Sequence, residues 1–268
     1  MSYITAESAT IRRKDGSTVQ LTGPSAQQLY LHRNTQDLSV KWLRLLGGRN
    51  EFERSRQQQI VDRLADAERP GRKRVLLIGD SIRMRLRDTT GYGLHTYKYL
   101  LDHVNLTHIP HNTGGTTPVL KHLDDWLSCR PDIVHINAGL HDLATPAPGT
   151  QPHRPYNTPE TYASNLRRIV ELLRNAGVPQ VIWALSTPVH DQWHTTSRRL
   201  RRDNKDVILY NQIATQVMAE LDVPINDLCQ PIIEMGLERC LMRDGVHLGH
   251  LGSTLLGKIV ANRISQYC

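Results

Sequence analysis

From residue 72 onward the chain alternates short apolar runs with amphipathic stretches, and this rhythm restricts the folds open to it. Val75–Ile78, Val104–Ile109, Ile133–Asn137, Val181–Leu185 and Val223–Asn226 have the length and composition of buried strands. Thr158–Ala176 carries Tyr162, Leu166, Ile169, Val170 and Leu173 at helical spacing. Residues 203–221 do the same with Val207, Tyr210, Ile213, Val217 and Leu221, and Leu251–Ser265 reads as a terminal helix. Strands separated by helical patterns pair in parallel, because only a crossover helix returns the chain to the same end of the sheet. The expectation is an α/β domain with a mostly parallel five-stranded sheet and helices on both faces.

Arg69-Pro70-Gly71 interrupts the pattern and sets the domain boundary, giving an extension over 1–71 and a main domain over 72–268. In the extension, residues 1–23 read as irregular or weakly stranded around an Asp15-Gly16-Ser17 turn. Two amphipathic stretches follow, one with Leu29, Leu38, Trp42, Leu45 and Leu46, the other with Phe52, Ile60, Val61 and Leu64. A helical extension packed on the main domain is expected. No apolar run approaches the ~20 residues of a membrane span. The first residues lack a basic segment followed by an apolar one, so a cytoplasmic protein without a membrane partner is expected.

Cys129, Cys229, Cys240 and Cys268 are far apart and form no Cys-x-x-Cys pair, which argues against a zinc site or a disulfide framework. His108/His111, His190/His194 and His247/His250 have ligand-like spacing, but none stands in a His-Glu-x-x-His pattern, so no catalytic metal is expected. The net charge is +7, with clusters at Arg12-Arg13-Lys14, Arg72-Lys73-Arg74 and Arg198–Arg202. No nucleic-acid-binding pattern accompanies that charge, so a solvated surface is the preferred reading and a nucleic-acid partner is not expected.

The chemistry-bearing residues fall just after the strands or beside the last helix. Gly79-Asp80-Ser81 ends the first strand and precedes Ile82–Leu86, which can open a helix. A serine at such a turn is presented at the carboxyl edge of a sheet, where backbone N–H groups can meet a developing oxyanion. His111-Asn112-Thr113-Gly114-Gly115-Thr116-Thr117 follows the second strand, Asn137-Ala138-Gly139-Leu140-His141-Asp142 the third, and Asp244-Gly245-Val246-His247 precedes the last helix. Together they offer a hydroxyl, a flexible glycine loop, a polar donor and an Asp/His pair, the parts of an acyl-transfer site. Asp80 and Asp142 read as structural acceptors in their loops, and Asn137 as a second possible donor. The polar segment 186–202, with Trp193, His194 and its arginines, would overhang the site and help bind a polar or anionic substrate; a solvated loop is the competing reading.

These four segments, in this order over roughly 72–268, resemble the SGNH (GDSL-type) hydrolases, and the Gly-Leu-His-Asp block resembles a variant within them. The resemblance implies a three-layer α/β/α flavodoxin-like fold and cofactor-free hydrolysis of a small-molecule ester. It assigns Ser81 as nucleophile, His247 as base and Asp244 as the group that orients the imidazole. Ser81 and Gly114 would supply oxyanion N–H groups. The family's third block ordinarily carries asparagine as a further donor, and His141 stands there in this chain. An imidazole can donate one hydrogen bond in its place. If that required the protonated ring, activity would fall as pH rises. The implied reaction is hydrolysis through an acyl-enzyme, with a short acyl group such as acetyl on a polar or carbohydrate alcohol. An acyltransferase using the same site is the alternative, and a noncatalytic basic binding protein on this fold is a more distant one.

Overall fold

The computed structural model describes residues 8–12, 18–22, 71–84, 91–100, 102–109, 112–127, 129–146, 154–194 and 200–268. In the N-terminal region, strands β1 (Ser8–Arg12) and β2 (Thr18–Thr22) pair antiparallel, with Thr10 opposite Gln20. The amphipathic stretches expected between residues 24 and 67 lie outside the described residues, and so does the 13–17 turn.

The main sheet contains β3 (Arg74–Ile78), β4 (Asn105–His108), β5 (Ile133–Asn137), β7 (Gln180–Ala184) and β9 (Ile225–Asn226), in the order β4-β3-β5-β7-β9. All its pairings are parallel. Val75 to Ile78 and all of β5 are buried. This burial explains why the strands appear in the sequence as continuous apolar runs rather than alternating ones: helices cover both faces. The remaining short strands, β6 (Thr145–Pro146) and β8 (Leu200–Arg201), form a separate antiparallel pair.

The connecting helices are α1 (Tyr92–Leu100), α2 (Thr116–Leu127), α3 (Pro159–Asn175), α4 (Asp191–His194), α5 (Asn204–Glu220), α6 (Gln230–Met235), α7 (Leu237–Cys240) and α8 (His250–Ser265). Helix α8 packs on α1, while α3 packs between α2 and α5. The chain steps from β3 outward to β4, then returns past β3 to β5. Successive right-handed crossovers in opposite directions must place their helices on opposite faces, giving the doubly wound three-layer arrangement. That reversal opens a crevice at the carboxyl ends of β3 and β5, where ligands collect in such sheets.

Helix α3 shows how local sequence sets an element. Thr158 caps it, its Oγ1 accepting from Thr161 N–H at 3.3 Å, and Pro159 occupies the first turn. Tyr162, Leu166, Ile169, Val170 and Leu173 form the buried stripe, as their spacing indicates. The expected helical start at Ile82 is different in the structure. Residues 81–84 form a turn, closed by Met84 N–H to the Asp80 carbonyl at 3.0 Å.

Candidate active site

Ser81 follows the end of β3 after Gly79 and Asp80. Asp80 shapes the turn: its Oδ1 accepts the Ile82 N–H at 2.9 Å, the side-chain-to-backbone bond that aspartate favours in turns. Beneath the turn, Arg83 is fully buried. Its guanidinium donates to the carbonyls of Gly79 (3.3 and 3.2 Å) and Ile109 (2.6 Å), linking the end of β3 to the end of β4. Burial lowers its pKa to about 10, with Tyr92 and Asp80 opposing the shift, so the group remains charged at neutral pH. In the sequence Arg83 lies within the Ile82–Leu86 stretch and carries no mark of a special role. Its anchoring role appears only when β4 is folded alongside β3.

Asp244 and His247 sit in the loop before α8. Gly245 takes φ +74°, a conformation that costs a side-chain-bearing residue, and an added Cβ would lie 2.7 Å from the His190 carbonyl. Asp244 Oδ1 accepts N–H bonds from Val246 (3.0 Å) and His247 (2.9 Å), and Oδ2 meets His247 Nδ1 at 2.6 Å. Burial opposes ionisation of Asp244. The bonds from the His247 ring and from the Val246 and His247 N–H groups outweigh it and hold the carboxyl well below its usual range. His247 Nε2 then lies 2.9 Å from Ser81 Oγ. Because Asp244 is an acceptor, it fixes the proton on Nδ1 and leaves the Nε2 lone pair facing the hydroxyl. Ser81 is 7% exposed and His247 partly buried, so the hydroxyl lies at the floor of the crevice.

The opposite side of the crevice holds Asn112, Gly114 and His141. Gly114 has φ +70°, and its N–H donates to Asn112 Oδ1 at 2.9 Å. With the amide oxygen turned that way, Asn112 Nδ2 faces His141 Nε2 at 3.4 Å. The amide then donates and the ring accepts, so the ring proton is on Nδ1, which has no hydrogen-bond partner among the described residues. Burial pushes the His141 pKa down, with Arg202 and His247 adding to the shift and Asp80 opposing it. A neutral ring is the form that fits this arrangement.

The neighbouring polar residues are structural. Asp142 accepts from Thr116 N–H (3.0 Å), Thr116 Oγ1 and Asn157 Nδ2 (2.6 Å), joining the third block to the start of α2. Asn137 directs Nδ2 to the carbonyls of Ala184 (2.9 Å) and Leu185 (3.2 Å), so its amide is committed to the end of β7. His194 is 5% exposed, and its Nδ1 lies 3.1 Å from the Asp244 carbonyl, which puts it behind the base-bearing loop. Trp193 stacks on His190 (centroids 4.2 Å apart), with Arg243 4.4 Å over the Trp193 ring. Asn112, Arg83 and Arg202 carry no local motif that marks them for the site. The signals available were Asn at the head of the glycine loop and the arginine cluster in 198–202.

A hydroxyl, an imidazole and a carboxylate in hydrogen-bonded series, set at the reversal point of a doubly wound parallel sheet, have the arrangement of a serine hydrolase. The chain belongs to the GDSL-like Lipase/Acylhydrolase family, whose sequence model matches residues 77–255, and it is accordingly an ester-hydrolysing enzyme. Among solved structures, a lipase/acylhydrolase from Enterococcus faecalis superposes with a TM-score of 0.60 at 20% identity, over 73% of this chain and 96% of that one. The acetyl xylan esterase AlAXEase gives 0.57 at 16% identity over 71% and 99%. An acetylxylan esterase from Geobacillus stearothermophilus gives 0.56 at 15% identity over 72% and 94%. At these identities the likeness is one of fold. No curated protein matches the chain in sequence. Among the described residues no helix is long and apolar enough to cross a membrane.

Proposed function

We propose that the chain is a serine esterase acting through an acyl-enzyme, with Ser81 as nucleophile, His247 as general base and Asp244 as the group that orients it. The observation that carries this reading is the series Ser81 Oγ–His247 Nε2 at 2.9 Å and His247 Nδ1–Asp244 Oδ2 at 2.6 Å. Ser81 attacks the ester carbonyl as His247 Nε2 takes its proton. The imidazolium formed is stabilised by Asp244 and returns the proton to the departing alcohol. Water then repeats the attack on the acyl-enzyme, releasing the acid and restoring Ser81.

On the oxyanion side, the Ser81 and Gly114 N–H groups act with the Nδ1–H of His141. The Gly114 N–H turns from Asn112 Oδ1 to the more basic oxyanion as charge develops, because hydrogen bonds to ionised acceptors are the stronger ones. Asn112 holds the tautomer that makes His141 a donor. A short acyl group on a polar or carbohydrate alcohol is the favoured substrate. The acetyl xylan esterases with this fold support that choice, as does the polar setting of Trp193, His190 and Arg243 beside the Asp244 loop.

The test is mass spectrometry after exposure to a serine-directed fluorophosphonate. The expected adduct is on Ser81 and is lost in His247→Ala. Wild-type esterase activity in Ser81→Ala, with no adduct on the native protein, would sink the proposal.

A further inference from the structure

Arg202 follows β8, whose pairing with β6 (Thr145 opposite Arg201, Pro146 opposite Leu200) brings this segment against the chain leaving the third block. Its Nε donates to the Leu140 carbonyl at 2.6 Å, next to His141. The guanidinium therefore lies against the loop that carries His141. Burial lowers its pKa, and the charges of Asp80 and Asp244, with Tyr156, oppose that shift. Among the described residues Arg202 makes no ion pair and no hydrogen bond other than the one to Leu140. A guanidinium has five N–H donors in a planar fork. One edge is fixed on Leu140, and among the described residues the other N–H groups have no acceptor.

A partly buried cation left in this state is disfavoured unless something supplies negative charge. Asp80 and Asp244 do not pair with it directly: one closes the nucleophile turn and the other binds His247. Tyr156, 63% exposed, is the third group whose charge acts on Arg202. Lysine in this place would present a point charge. Arginine presents a fork suited to the two oxygens of a carboxylate.

We propose that Arg202 is a specificity-determining residue that binds a carboxylate carried by the ester substrate, close to the scissile bond. This rests on the serine-esterase reading of the site and narrows its substrate class to anionic esters. Because the guanidinium is anchored on Leu140, it also ties substrate charge to the loop that holds His141.

The test compares matched ester pairs by pH-stat. Monomethyl succinate against methyl butanoate places the charge on the acyl side, and O-acetyllactate against isopropyl acetate places it on the alcohol side. The wild type should favour the anionic member of one pair by about tenfold or more in kcat/KM, and that pair identifies the side. In Arg202→Gln this ratio should fall by about 10- to 100-fold, mainly through KM, as expected for loss of a charged hydrogen-bonding partner. Arg202→Lys should retain part of it, and thermal melts check that both variants fold.

Equal kcat/KM for both members of both pairs in the wild type would overturn the proposal. So would an equal loss on neutral and anionic esters in Arg202→Gln, which would make Arg202 a positioning residue only. Calorimetry separates this from failure of the esterase reading. Ser81→Ala protein should bind the anionic member of one pair more tightly than its neutral match, and adding Arg202→Gln should abolish the difference. That outcome with no turnover of any ester by the wild type would retain the carboxylate site and sink the hydrolase. No difference in binding within either pair would sink the carboxylate site.

Discussion

The two sides of the crevice are built to different standards of completion. On the base side, Asp244, His247 and Ser81 form a closed series, and both Asp244 oxygens are engaged with the loop and ring they orient. On the oxyanion side, the Gly114 N–H bonds Asn112, and Asn112 faces His141. In the proposed mechanism the base arm is ready to move a proton before substrate arrives. In the same mechanism the oxyanion arm, held by its own side chains, exchanges a bond with the substrate. A protein can preassemble proton transfer because the partners are all its own. The oxyanion exists only during reaction, so its donors need another acceptor in the resting state or remain unpaired in a buried place.

The largest effects should come from the base side. Ser81→Ala and His247→Ala should each lower kcat by on the order of 10⁴- to 10⁶-fold, and the double variant should lose little more, because the groups act as a unit. Losses that multiply in burst and steady-state assays would show that the two act separately. Asp244→Asn should cost about 10⁴-fold in kcat while Ser81 stays in place, since an amide favours the wrong imidazole tautomer.

The oxyanion side should give smaller losses. His141→Ala should lower kcat by on the order of 100-fold with little change in KM, and His141→Asn should recover most of it. An unchanged kcat in His141→Ala would remove His141 from the oxyanion site. Asn112→Ala should lower kcat by about tenfold, the effect of one neutral hydrogen bond, through the His141 tautomer. The decisive readout is the double variant: Asn112→Ala placed on His141→Ala should add almost nothing, and full additivity would break the link between the two residues.

The smallest effect concerns imidazoles that serve neither arm. Burial lowers the pKa of His135 to about 3 and that of His95 to about 4, with Lys98 and His250 adding to the latter. Both are lowered relative to the unfolded chain, so the native state binds fewer protons in acid. Their contribution to stability is complete above about pH 6.5 and is lost as pH falls towards those values, at roughly 2 kcal/mol each between pH 7 and pH 5. Urea denaturation at pH 7, 6 and 5 should show this slope, and His135→Phe should reduce it by about one proton. An unaltered slope would mean that His135 is charged in the folded state or does not contribute.

Much of this was readable along the chain, though unevenly. The bounds of α3 follow from Thr158, Pro159 and a clean apolar stripe, and β5 coincides with the apolar run 133–137. Helix α1 has no such stripe: Tyr92, Gly93, Leu94, His95, Thr96 and Tyr97 are all buried, so polarity does not alternate and the periodic signal vanishes. Helix α2 opens on Thr116-Thr117-Pro118 just after two glycines, and composition there reads as loop. Ser81, Gly114, Asp244 and His247 were legible because each sits in a compact motif. The joining of Asn112 to His141, of Arg83 to Ile109 and of Arg202 to Leu140 was not, since each joins residues 26 or more apart whose contact depends on strand order.

The sequence by itself therefore determined the alternating α/β plan, the turn that presents Ser81 and the loop that presents Asp244 with His247, because each depends on forces acting within a few residues. Only the tertiary structure decided which nitrogen of His141 bears its proton, what lies beneath the Ser81 turn and which carbonyl anchors Arg202. Those depend on burial and on donors brought from distant strands, and a charge or a tautomer is settled by its surroundings in space rather than by its neighbours in the chain.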